Sequence, residues 1–197
     1  WGWRLMLRKR LAKNLVQRLN PRCAVVAQER LNLFLPILKS LQESRIPIIL
    51  MPAADSSPDG NAWPRRESFV LKAGLNKDAE LKSPFPPLVG GVISIFNRSV
   101  QRWLPNQVYD STWGKMLFYP ATQIFFMRLT GMLPQNPWYQ GTTFTDHIMV
   151  SGKDESAMYS EAKIDPAKLL FIGSHDFDVL YECWLGREDL RHQLIDD

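Results

Sequence analysis

Six side chains stand where an α/β chain could do chemistry: Glu29, Asp55, Arg65, Arg66, Ser174 and His175. Each follows a short apolar run that reads as a strand. A carboxylate such as Glu29 or Asp55 can take a proton, and a guanidinium such as Arg65 or Arg66 pairs with phosphate. Ser174 follows Gly173 and is a natural N-cap, and Asp176 suits a helix dipole. The cluster Gly173-Ser-His-Asp-Phe-Asp178 could therefore open a helix whose N-terminus holds an anion. Capping alone also accounts for these residue types. His147, His175 and His192 share no metal-ligand spacing. The chain has no GxGxxG, Walker loop, HExxH, CxxC or GxSxG, so neither a metal nor a cofactor is expected.

These residues need elements to position them. Cys23–Ala27, Ile46–Met51, His147–Val150 and Leu169–Ile172 read as short buried strands. A helix over 29–44, with Leu31, Phe34, Leu35, Leu38 and Leu41 on one face and a kink at Pro36, links the first pair. A helix over 154–162, stopped by Ile164-Asp165-Pro166, links the second. Strand–helix–strand units this short are crossovers, so the predicted sheet is parallel, with ligands expected at Ser151-Gly152 and Gly173-Ser174. The turn-rich loop after Met51, running to Arg66, leaves a strand's C-terminal end, a location that favours function. Residues 67–143 read as an aromatic-rich insertion, with short helices near 68–74 and over 115–129.

Charge is uneven. The net charge of +4 hides eight Lys/Arg against one acid in residues 1–30, and twelve acids against five bases in 146–197. A uniformly basic nucleic-acid binder would not look this way. Residues 1–19 form a basic helix with Trp3, Leu7, Leu11 and Leu15 at i+4 steps. That stripe either packs on the protein's own sheet or lies on an anionic membrane. No apolar run is long enough to span a bilayer. Cys23 and Cys183 read as buried, reduced thiols, which fits a cytoplasmic protein, one that could sit at the inner face of the membrane.

Asp146-His-Ile-Met-Val-Ser-Gly-Lys153 and Ile164-Asp-Pro-Ala-Lys-Leu-Leu-Phe-Ile-Gly-Ser-His-Asp-Phe-Asp178 resemble the end of the N-terminal domain of GT-B-fold proteins. The likeness is to UDP-N-acetylglucosamine 2-epimerases and to surface-carbohydrate and polyol-phosphate transferases. Lys163-Ile-Asp-Pro-Ala-Lys-Leu169 stands where that family has Gly-Ile-Pro-x-x-Lys-Ile, and Arg45-Ile46-Pro47 where it has Gly-Ile-Pro. Asn136-Pro137-Trp138 is similar to a segment ahead of the same strand. Glu29 lies near the first of the family's acids, but the others fall on Pro52 and on Arg65 or Arg66, so its epimerase chemistry is not carried over.

The resemblance implies a Rossmann-like α/β domain over 20–182. Residues 183–197 would be a linker or the start of a second, nucleotide-binding domain. It further implies transfer of a sugar or polyol phosphate from a nucleotide-activated donor to a hydroxyl. Glu29 or Asp55 would then be the base, and Arg65, Arg66, Ser174 and His175 would contact substrate. The alternatives are a non-catalytic binding module of the same fold, or a membrane-surface adaptor.

Overall fold

The computed structural model describes residues 2–52, 57–76 and 83–173, together with Tyr181, Trp184 and Leu185. The described strands are β1 (Ala24–Val26), β2 (Ile48–Leu50), β3 (Val108–Ser111), β4 (Gly114–Leu117), β5 (His147–Val150) and β6 (Leu169–Phe171). The described helices are α1 (Gly2–Leu19), α2 (Leu35–Glu43), α3 (Pro58–Ala62), α4 (Phe69–Lys72), α5 (Pro87–Trp103), α6 (Ala121–Leu129) and α7 (Lys153–Glu161).

β1, β2, β5 and β6 form one parallel sheet in that order. Ala24 pairs with Ile48, Leu50 with Ile148, and Ile148 with Leu169. The four apolar runs predict these strands, and helices flank the sheet as in a Rossmann-like fold. Strand order follows sequence order, so no switch-point crevice forms among the described strands. Ile48, Leu50, Ile148, Val150 and Leu169 bury one face of the sheet, while Val25 and Leu170 leave the other partly open. Asp146 sets the start of β5. Its amide donates to the Ile48 carbonyl at 2.8 Å, and its carboxylate accepts from the Ile48 amide at 2.8 Å.

Both crossover helices stop the same way. Ile46 N donates to Leu41 O at 3.0 Å and Arg45 N to Gln42 O at 3.0 Å; Ile164 N donates to Tyr159 O at 3.1 Å and Lys163 N to Ser160 O at 3.0 Å. This paired pattern needs a left-handed residue just past the helix. Arg45 (φ 56°) and Lys163 (φ 57°) supply it.

Several expected boundaries move. α2 begins at Leu35, because residues 28–34 turn Glu29 and Arg30 into the interior. Pro36 then lies in the first turn, where its missing N–H breaks no helical bond, and no kink is needed. The helix expected over 115–129 splits. Its first residues form β4, paired antiparallel with β3, and Pro120 caps α6. Gly114 (φ 87°) makes the hairpin turn, and the Asn76 amide extends β4 by bonding Lys115 N and O at 2.7 and 2.8 Å. Cys23 is exposed, at the edge of the sheet rather than inside it.

α1 buries a different side from the one its leucines suggest. Gly2, Leu5, Ala12 and Val16 face inward, and α1 packs on α2, while Trp3, Leu7, Leu11 and Leu15 face solvent. Small side chains let the helix approach closely; Gly2 has no Cβ because one would meet the Phe126 ring at 2.7 Å. Among the described residues no helix is long and apolar enough to cross a membrane.

A non-glycine residue in the left-handed region costs roughly 1–2 kcal/mol, and glycine's extra unfolded freedom offsets about 0.5–1 kcal/mol of any relief. Arg45→Gly and Lys163→Gly should each raise the thermal midpoint by about 1–2 °C, followed by circular dichroism. A lower midpoint in both would mean that these side chains contribute more than their backbone strain costs.

Candidate functional site

The turn after β1 places Glu29 fully inside the protein. One carboxylate oxygen accepts from Thr142 N at 2.8 Å; the other accepts from Phe144 N at 3.3 Å and Thr145 Oγ1 at 3.4 Å. Burial raises the Glu29 carboxyl above its ordinary value, against the pull of these amides and of Arg30. Arg30 is also buried and is lowered to about 10, chiefly by desolvation. It donates to Pro137 O and Trp138 O at 3.3 Å, and the Tyr119 hydroxyl donates to the Arg30 carbonyl. Burial raises the Tyr119 hydroxyl as well. Two segments are thereby fixed: the chain after β1 and the chain before β5.

Next to this clamp, where the chain leads into β5 and β6, lies a cavity of about 440 Å3. Asn106, Gln135, Asn136, Tyr139, Gly141 and Thr142 form one wall. The turn from Glu161 to Asp165 and Lys168 forms the other. Gly141 (φ 80°) is required in this wall, since a Cβ there would overlap Ile148 of β5. Thr142 Oγ1 donates to Asn136 O at 2.8 Å, and Asn136 Oδ1 accepts from Trp138 N at 3.1 Å. Lys168 Nζ donates to Thr145 O at 3.0 Å. The side chains of Asn106, Gln135, Glu161 and Lys163 make no hydrogen bond among the described residues and remain available to a ligand. Burial, then Glu161, raises the Tyr139 hydroxyl, which stays protonated as a donor at neutral pH.

The sequence-derived candidates do not converge on this cavity. Glu29 stands behind it, holding Thr142 in place. Arg65 packs over the Phe118 ring at 4.0 Å, with Nε donating to Phe118 O at 3.2 Å and Nη1 to Asn61 O at 2.5 Å. Arg66 covers Trp63 at 3.7 Å and pairs with Glu67 at 3.3 Å. Asp55, Ser174 and His175 lie outside the described residues. Ser151 uses both its amide and its hydroxyl on Glu155 of α7, at 2.7 and 2.9 Å. Sequence reading missed the cavity residues. The signal available was the density of uncharged polar side chains in 135–145. Among the described residues no cluster of three or more His, Cys, Asp or Glu could hold a metal ion.

The fold therefore defines an α/β protein with a parallel sheet and flanking helices, and the site a polar cavity beside its last two strands. Compared with family models, with curated proteins and with solved structures, the chain finds no match.

Glu29→Ala leaves buried amides of Thr142 and Phe144 without an acceptor and should cost about 3 kcal/mol or more in chemical denaturation. Glu29→Gln reports on pH. Because burial raises the native carboxyl, the stability it contributes is present below the ordinary value of 4.5 and is lost as pH rises through the raised native value. The wild type should lose ground to Glu29→Gln across that window; a constant gap between the two melting curves would contradict the assigned shift.

Proposed function

We propose that the chain is the acceptor-side half of a GT-B-like transferase of surface-carbohydrate synthesis, and that the cavity at Asn136 and Lys163 takes a sugar or polyol acceptor. The observation that carries this reading is the cavity's donor and acceptor set. Each Asn or Gln amide offers two donors and an acceptor, the pattern that adjacent hydroxyls match. Tyr139 adds a ring face and a donor, and Lys163 a cation suited to a phosphate on a polyol phosphate. Glu161 and Asp165 are the carboxylates near enough to take a proton. In the transfer the acceptor hydroxyl attacks the activated donor, its proton passes to a carboxylate, and the nucleotide leaves with the electron pair of the broken bond. The donor would be held by a second domain, and residues 67–143 are then an insertion carried on the sheet. Two left-handed residues at the family's glycine positions, Arg45 and Lys163, add support.

A second reading, a non-catalytic binding module, draws on a different observation. Glu29, Arg65 and Arg66 are all engaged within the fold, so the residues after β1 and β2 that sequence suggests for catalysis have structural duties.

Calorimetric titration of the chain with glycerol phosphate, ribitol phosphate and N-acetylglucosamine tests the cavity. One of these should bind in the millimolar range or tighter. Asn136→Ala with Lys163→Ala should weaken it at least tenfold, while UDP- and CDP-sugars bind more weakly than the acceptor. Equal affinity in the double variant, or no binding of any polyol, would sink the reading. Submillimolar sugar-nucleotide binding would move the donor site onto this chain.

A further inference from the structure

The stripe that α1 turns to solvent does not stand alone. Trp3 is 75% exposed and Leu11 59%. On α5, Leu88, Val92, Ile95, Phe96 and Trp103 recur at helical spacing and are all exposed, Trp103 at 73%. On α6, Phe125 and Leu129 are one turn apart and exposed. The stripes of α5 and α6 adjoin. Ile95, Phe96 and Trp103 of α5 share an apolar groove of about 290 Å3 with Phe125 of α6. The Phe125 ring packs on Phe126 at 5.6 Å, and Phe126 is the ring against which Gly2 of α1 closes. On α1, Leu11 and Leu15 share a second apolar groove with Leu33 and Ile37.

The charges of these three helices have one sign. α1, α5 and α6 together carry nine Lys and Arg and no Asp or Glu. Among the described residues only Lys9 of the nine pairs with an acid, Glu43 at 3.0 Å. Exposed leucine, tryptophan and phenylalanine beside unpaired cations is the composition of a helix face that lies in the plane of an anionic bilayer. Contiguous exposed apolar patches are uncommon on monomers and mark protein- or membrane-contact sites. A second copy of the chain is the wrong occupant, because a two-fold contact would set these cations against each other.

We propose that α1, α5 and α6 form a monotopic docking surface for an anionic lipid bilayer, with Trp3, Leu11, Ile95, Trp103 and Phe125 entering the headgroup boundary and the arginines and lysines meeting lipid phosphates. None of the three helices crosses the bilayer; they lie on it. The surface is independent of the polar cavity, so either assignment can fail alone.

The test is co-sedimentation of the full chain with vesicles of phosphatidylcholine, with and without phosphatidylglycerol, at low and high salt. The chain should sediment with the anionic vesicles. Each cation near such a surface strengthens partition roughly fivefold, so high salt should release most of it. Leu11→Glu with Trp103→Glu alters exposed positions only, and circular dichroism verifies that the variant folds. It should reduce binding at least tenfold. Brominated lipid should quench tryptophan emission in the wild type more than in a Trp3→Phe, Trp103→Phe variant. No binding by the wild type, or equal binding by the folded glutamate variant, overturns the proposal. So does a dimer that dissolves in that variant while lipid binding is absent.

Discussion

The buried Glu29 carboxylate holds the molecule's two halves in one arrangement. It leaves the sheet after β1 and ends on amides that precede β5, more than a hundred residues later in the chain. A carboxylate withdrawn from water is costly unless it is satisfied, and here both oxygens accept hydrogen bonds and Arg30 lies beside it. The cost of leaving those groups unpaired fixes the path of 141–145. That path in turn fixes Gly141 against Ile148 and Thr142 in the cavity wall. The aromatic packing follows. Arg30 and Arg65 both lie over Phe118, and Phe118 meets Trp138 edge-on at 5.2 Å.

This arrangement separates the roles that α/β proteins often combine. Ligands of parallel sheets gather outside the C-terminal ends of strands at a reversal of strand order. Here the order β1–β2–β5–β6 does not reverse, and the polar cavity lies by the segments that lead into β5 and β6. The residues after β1 and β2 are used to join layers. The outer helices α1, α5 and α6 carry the exposed apolar and cationic side chains. Rigid core, polar cavity and apolar-cationic exterior thus occupy different parts of the chain.

The sequence by itself determined the parallel sheet. Four short apolar runs, two of them ahead of helices of about ten residues, leave little choice of topology, and periodicity is a local property of the chain. It also determined the helix stops, since Ile-Pro and Ile-Asp-Pro after each crossover helix forbid continuation. Only the tertiary structure decided which side of α1 is buried, because Leu5, Ala12 and Val16 win by allowing close approach to α2, which the fuller leucine stripe could not reveal. It also decided that Glu29 and Arg65 serve the fold, and that Asn136 and Lys163 face a common space. Those relations join residues far apart in the chain, and no spacing along a sequence encodes a contact made by a loop folding back across the sheet.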